Sequence, residues 1–331
     1  MYEKIKISVP ERISDLLRRD ALDFRICKPD GDPNLNALLN LLVINYYEDF
    51  AADEEELRES VRAALSSVPE KYADGALDRV LKAVAAREKS KEEDGRTVAL
   101  ALKPTRASER AVVYIENALL RNESLSSFYR RMFVSYARKT KNEREKIIHK
   151  EAFSALSRAM KKEEQVCISL DNGQVYGGAS VYAVAAAKDE LYNYALIYSD
   201  RKSRTVRLSK IRTVSSLTAR SEIPAENRER FDRQIKCGAQ YPIYNTDDEP
   251  ITVRLTDKGV GMFEKIYLYR PTPVSVDGKL YTFNCSANQA LHYFTRFGEE
   301  ALILSPRKLG IFMRNYYHYA LKAYRGEYRK D

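Results

Sequence analysis

The chain has 331 residues, 44% of them hydrophobic and 31% charged, enough for two or three buried cores and too apolar for wholesale disorder. No run approaches the roughly 18 apolar residues of a membrane helix, and residues 1–15 lack the apolar core of a secretory signal, so a cytoplasmic protein without membrane partners is expected. A net charge of +9 favours polyanionic partners, and 23 tyrosines against 11 phenylalanines and no tryptophan add the residue type that stacks on unpaired bases.

The chain opens on a motif that recurs. Ile5, Ile7 and Val9 alternate along a short strand, with Lys4, Lys6 and Ser8 on its other face. Pro10 ends that strand where a proline can begin a helix, and Ile13, Leu16, Leu17 and Ala21 mark one apolar helix face. A second helix opens at Asn34, with apolar Leu35, Leu38, Leu39, Leu42, Val43 and Tyr46. The same offsets return at Leu125, Phe128, Tyr129, Met132, Phe133 and Tyr136, and Ser124 and Ser126 take the places of Asn34 and Asn36. A strand-like Val98, Leu100, Leu102 and a helix-like stretch at 111–120 precede this second copy. Asn34, Asn36, Ser124 and Ser126 sit at helix starts, where such side chains cap the helix or help free amides hold a phosphate; both readings stand. The outward strand faces differ: Lys4, Lys6 and Ser8 in the first copy face Thr97, Ala99 and Ala101 in the second. A ribbon so depleted of donors and acceptors reads bases poorly.

Between the copies, residues 51–95 read as an exposed helix of mixed charge. Residues 138–164 read as one long helix that begins basic, followed by a strand at 166–169 and a hairpin turn carrying Gly173, Gly177 and Gly178. Tyr194, Leu196 and Tyr198 then alternate as a half-buried strand. After a polar turn at 199–203, Val206 and Leu208 point inward with Thr205 and Arg207 opposite; the alternation breaks at Ser209 and Lys210 and restarts at Ile211, as a bulge or corner requires. Arg201, Lys202, Arg204, Arg207, Lys210, Arg212 and Arg220 fall here with no acidic residue among them. Arg204, Arg207, Lys210 and Arg212 beside Tyr194 are the candidates for the main nucleic-acid site, with Lys4, Lys6 and the four helix-start residues as a second set; a solvated strand face is the plainer alternative. Further on come a polar connection at 221–245, strands at Ile251–Leu255, 265–269 and Leu280–Phe283, and a terminal helix Arg307–Tyr324. Its Phe312, Tyr316, Tyr317, Tyr319 and Tyr324 offer apolar surface for self-association.

No catalytic constellation emerges, and a non-enzymatic protein is expected. His149, His292 and His318 lie in unrelated contexts, and no nucleophile elbow, zinc-protease helix or phosphate loop occurs. Cys27, Cys167, Cys237 and Cys285 match no zinc spacing and read as reduced, so neither metal nor cofactor is expected.

Residues 194–214 resemble the WYL domain of bacterial regulators. Asn193-Tyr194-Ala195 keeps the tyrosine of the naming triplet, and the segment from Val206 to Ile211 keeps the first arginine of the family's following strand as Arg207, with Lys210 in place of the second. The resemblance implies a small Sm-like, SH3-like β-barrel whose basic pocket takes nucleic acid or nucleotide-like ligands. Residues 292–325 look like the α+β extension that follows such domains, and the N-terminal repeat resembles the ribbon-helix-helix fold. The expected architecture is α+β and multidomain: ribbon-helix-helix-like copies at 1–52 and 96–140 around a helical connector at 53–95, a helix plus barrel at 141–220, and the extension, with dimerisation, at 221–331. This combination looks like the accessory proteins of type VI-D, RNA-targeting CRISPR systems. That resemblance implies binding of single-stranded RNA, stimulation of the effector nuclease, contact with the effector or its guide complex, and a homodimer. A transcriptional regulator that binds duplex DNA and senses a ligand, and an assembly protein that meets an acidic partner, are the alternatives.

Overall fold

A computed structural model describes residues 4–92, 96–120, 123–189, 191–244 and 249–326. The chain divides into two compact units, Met1–Lys150 and Glu151–Asp331. The first is organised by a two-stranded antiparallel ribbon of β1 (Ile5–Pro10) and β2 (Thr97–Leu102). Ile7 lies opposite Leu100, Ile5 opposite Leu102 and Val9 opposite Val98, so matched positions of the two copies cross about a local two-fold axis. Alternation sends Ile7, Val9, Leu100 and Leu102 into the core and leaves Lys6, Ser8, Thr97 and Ala99 exposed.

Helix α1 (Glu11–Asp23) follows β1 directly behind Pro10, which supplies the fixed φ of a helix start. Then come α2 (Leu35–Ala64), α3 (Glu70–Glu92), α4 (Glu109–Tyr114) running on into a π-turn at Ile115–Leu119, α5 (Leu125–Arg138) and α6 (Lys141–Ile148). Each copy's second helix grips the other copy's strand. Ser126 Oγ on α5 donates to the Lys6 carbonyl at 2.8 Å, and Asn36 Oδ1 on α2 accepts from the Lys103 amide at 2.8 Å, just beyond β2. Between these helices the matched Leu38, Leu39, Leu42, Val43 and Phe128, Tyr129, Met132, Phe133 are all buried, and Tyr46 meets Tyr136 edge to face at 6.3 Å.

A buried ion pair fastens α1 and α5 to the start of α6. Asp20 of α1 is 1% exposed and accepts from the Tyr136 hydroxyl at 2.8 Å and from the Arg144 guanidinium at 2.7 and 3.1 Å. Burial, then the neighbouring carboxylate, holds the Tyr136 phenol well above its ordinary pKa. Arg144 is aimed by the start of α6, where Thr140 and Glu143 form a capping box. That cap corrects the single helix expected over 138–164. The chain turns at Thr140, again at His149, whose φ and ψ of −104° and 34° are not helical, and resumes as α7 (Lys150–Lys162). The helical reading of 51–95 is met by α2 and α3 over the described residues, with α2 running unbroken past residue 52.

In the second unit, α7 packs on a five-stranded antiparallel sheet of β3 (Glu164–Leu170), β4 (Val175–Ala186), β5 (Asn193–Ser199), β6 (Lys202–Arg207) and β7 (Ile211–Arg220) in the order β6-β5-β4-β3-β7. Ala152, Leu156 and Ala159 of α7 share its core with Val166, Ile168, Ala195, Ile197, Val206 and Leu208. Asp200 and Arg201, with φ of 52° and 59°, make the β5–β6 turn; the break expected near Ser209 is a 3-10 turn at Leu208–Lys210. Of the three glycines read as one hairpin turn, only Gly173 lies in it. Gly177 and Gly178 are inside β4, where the register to β3 shifts, and Gly178 takes φ +64° as a bulge demands. Helix α8 (Ala225–Cys237) covers the β6 edge: Asn227 donates to Ser203 Oγ and Gln234 to Thr205 Oγ1, both at 2.9 Å.

A second sheet joins β8 (Ile251–Leu255), β9 (Pro273–Asp277), β10 (Leu280–Phe283) and β11 (Ala301–Ser305) in the order β11-β8-β10-β9, with α9 (Asp257–Lys265), α10 (Ala287–Phe294) and α11 (Arg307–Tyr324) between and after the strands. This is the split β-α-β arrangement. The strand expected at 265–269 is absent. Thr256 caps α9, which ends at Lys265, and Tyr269 has φ +65°, incompatible with a strand. Gly259 sits in α9 because a Cβ there would come within 2.3 Å of the Glu300 carbonyl oxygen.

Removing one partner of the buried pair should be costly. Arg144→Ala leaves Asp20 charged and enclosed and is expected to destabilise the first unit by about 3–5 kcal/mol, against about 1–2 kcal/mol for Tyr136→Phe. Urea titration of the two variants checks the order; equal midpoints for Arg144→Ala and wild type would contradict it.

Candidate nucleic-acid interface

The antiparallel register sets Tyr194 of β5 directly opposite Arg207 of β6. Two residues before Tyr194, on the same side of the strand path, stands Tyr192, and the Arg207 guanidinium carbon lies 3.3 Å from the centre of its ring. A guanidinium packed on an aromatic ring combines cation–π attraction with a planar set of donors, a combination that suits phosphate beside a stacked base.

Tyr192 and Tyr194 form one wall of a cleft of about 380 Å³. Asp189 and Leu191 of the β4–β5 connection, Gln240 and Tyr241 beyond α8, Tyr269 beyond α9, and Asn288 and His292 of α10 complete it. Tyr269 and His292 meet edge-on at 4.8 Å, and the Tyr241 hydroxyl lies 3.3 Å from His292 Nδ1. Burial first, and the Arg296 charge second, push the His292 pKa below its usual value. Burial raises the Tyr241 phenol, and burial with a hydrogen bond to Asp189 raises that of Tyr269. The cleft is lined mainly by aromatic side chains, with the Arg207 guanidinium stacked on the Tyr192 ring and Arg296 lying 5.4 Å over the Tyr269 ring. Left-handed backbone at a bulky residue stores strain of about 1–3 kcal/mol and clusters at binding sites; Tyr269 is such a residue, and its ring faces this cleft.

The other candidates are dispersed. Arg204 faces the opposite side of β6, across from Ile197, with its guanidinium 5.7 Å over Tyr176 and its Nε buried without a hydrogen bond. Lys210 is exposed on the 3-10 turn, its carbonyl accepting from the Asp171 amide at 3.0 Å, and Arg212 is exposed at the start of β7. In the first unit Lys4 and Lys6 are exposed. Asn34 and Ser124 cap their helices, accepting from the amides of Ala37 at 3.1 Å and Ser127 at 3.2 Å, and Asn36 and Ser126 bind opposing backbone. Of the candidates only Tyr194 lines the cleft, and Arg207 stacks on its neighbour Tyr192. Tyr192 carried a signal, since it shares strand phase with Tyr194; Tyr241, Tyr269 and His292 come from separate segments and carried none. Among the described residues no group of histidine, cysteine and carboxylate side chains could hold a metal, and no helix is long and apolar enough to cross a membrane.

No protein-family model matches the chain, and no curated protein matches it. Among solved structures, the chain is similar to one described as a CRISPR Cas-related protein, with TM-score 0.70 and 18% identity over 99% of this chain and 95% of that one. Proteasome accessory factor B/C (PafBC) of Arthrobacter aurescens aligns over 65% of this chain and 35% of that one at 15% identity, with TM-score 0.24, too low to carry a fold argument. The first likeness establishes that this α+β, multidomain fold is shared along essentially the whole chain.

Proposed function

We propose that the protein is a non-enzymatic, cytoplasmic accessory of an RNA-guided, RNA-targeting CRISPR effector, acting by binding single-stranded RNA. The observation that carries the reading is the stack of Arg207 on Tyr192, one of the tyrosines that line the cleft. Unpaired bases are held by aromatic faces and their phosphates by arginine, whereas a duplex buries those faces in its own stack. The basic run from Arg201 to Arg220 lies on and beside these strands and supplies long-range attraction. The full-length fold likeness to a protein described as CRISPR Cas-related supports the CRISPR setting.

Within this reading the first unit is a ribbon-helix-helix pair contained in one chain. Its ribbon carries Thr97, Ala99 and Ala101 on one strand, a poor set for reading base edges. The five-stranded sheet, with a helix before it and a 3-10 turn before its last strand, is an Sm-like WYL barrel, and the split β-α-β sheet is its extension. The type VI-D subtype and direct contact with the effector or its guide complex belong to the same proposal, as does a homodimer. On α11, Phe312, Tyr316 and Tyr319 form an exposed stripe, at 56%, 50% and 47% exposure, for a second copy.

Arg207→Ala is expected to weaken binding of a single-stranded RNA by about 1–3 kcal/mol in fluorescence anisotropy, the worth of one charge-assisted contact; unchanged affinity of the folded variant would remove the cleft from the account. Light scattering of the 38.0 kDa chain is expected to give twice that mass, and Tyr316→Glu to return the single mass. A wild-type mass at the single-chain value, independent of concentration, would leave the dimer without support.

A further inference from the structure

Where the first copy passes from β1 straight into α1, the second inserts residues 103–108 between β2 and α4. This insert is anchored from beneath by a buried polar cluster. Asn40 of α2, 4% exposed, donates to the Lys103 carbonyl at 3.1 Å and accepts from the Thr105 amide at 3.1 Å and from the fully buried Ser108 hydroxyl at 2.5 Å. Asn36, one turn earlier on α2, holds the same backbone, donating to the Lys103 carbonyl at 3.3 Å and accepting from its amide at 2.8 Å. A short loop held by so many bonds is an ordered platform whose side chains are presented at little entropic cost.

The platform presents basic and aromatic side chains. Arg106 of the insert, Arg110 one turn on and Tyr114 a turn further lie along one row and, with Glu109, Val113 and Asn117, line an open groove of about 610 Å³. Tyr114 is 52% exposed, yet its ring is braced edge to face by Tyr47 of α2 at 5.9 Å and 60°. A large aromatic held in solvent against a second ring is an exposed face on which no further ring stacks among the described residues. Neither arginine pairs with a carboxylate among the described residues. The helix gives way to the π-turn immediately after Tyr114, and such turns concentrate at functional sites. The first copy has no equivalent, since α1 contains no aromatic residue.

We infer that residues 103–114 are a second contact for single-stranded RNA, in which a base stacks on Tyr114 and the adjoining phosphates meet Arg106 and Arg110. The inference rests on the RNA-binding reading given above and adds a site in the first unit. Charge and shape select the occupant: two guanidiniums with no carboxylate partner among the described residues call for an anion, and an open aromatic face suits a base that is out of any duplex.

Fluorescence anisotropy of the full-length protein with a fluorescein-labelled single-stranded RNA of mixed sequence tests it. Tyr114→Ala is expected to weaken binding by about 5- to 150-fold, the equivalent of about 1–3 kcal/mol for one stacked base, while Tyr114→Phe, which keeps the ring, binds as wild type does. The Arg106→Ala/Arg110→Ala variant is expected to flatten the salt dependence by about 0.7 in log–log slope for each phosphate that the missing guanidiniums neutralised. Wild-type affinity in Tyr114→Ala, with Arg207→Ala still weakened, overturns this site and leaves the proposed function standing. Failure of the wild-type protein to bind the RNA overturns both. An effect of Tyr114→Ala on duplex DNA but not on RNA shows the occupant to be wrong. Should Tyr114→Ala disturb the helix, photocrosslinking of RNA containing 4-thiouridine to the wild-type chain reads the same contact. A crosslinked peptide containing Tyr114 supports the site, and crosslinks confined to the second unit overturn it.

Discussion

The pairing of β1 with β2 is the constraint on which the first unit depends. A lone six-residue strand is an open edge with its amides and carbonyls unmet, and a two-stranded ribbon is stable only when helices cover one face. Both strands lie in one chain, so the ribbon closes without a second molecule, and Asn36 and Ser126 extend the grip by tying each second helix to the other copy's strand. In an identical-chain dimer every change appears twice about the axis. Joined in one polypeptide, the copies are free to differ. The second has small residues on its ribbon face where the first keeps Lys4 and Lys6, and it carries the anchored insert and exposed Tyr114 that the first lacks.

The second unit solves its own edge problem and makes a site in doing so. Helix α8 covers β6 through Ser203 and Thr205, stacks Phe231 on Tyr182 at 5.1 Å, and delivers Gln240 and Tyr241 to the β4–β5 connection. The α9–β9 connection and α10 then bring Tyr269, Asn288 and His292 to the same place. The cleft is thus a product of how the extension packs on the five-stranded sheet, which is why tyrosines distant in sequence face one another there.

Where periodicity is strong, the chain is readable. The two strand-helix-helix copies, the strand pair around Tyr194 and Arg207, and the terminal helix all follow from alternation or helical spacing of apolar residues. Legibility ends where a local signal carries two meanings. Basic and apolar residues at 138–164 suit a continuous helix, but Thr140 with Glu143 is a cap, and tertiary demand for Arg144 at Asp20 fixes the break there. The glycines of α9 hid a helix because Gly259 is required by a backbone contact with Glu300, which no local pattern reports. At the site, Arg207 was legible from strand phase, while its stacking partner Tyr192 and the far wall of the cleft depend on contacts between separate segments. Arg204 illustrates the opposite error, for nearness in sequence placed it with Arg207 although odd spacing in a strand puts the two on opposite faces.

The proposed function has the aromatic and arginine surfaces of this protein take an unpaired RNA strand. The most direct measurement compares its affinity for a single-stranded RNA and for a duplex DNA of equal length across a salt series, since salt dependence separates shared phosphate attraction from stacking. RNA is expected to bind more tightly at every salt concentration, with a residual affinity at high salt that the duplex does not show. Duplex DNA bound as tightly as RNA or more so, with both affinities vanishing together as salt rises, would contradict it.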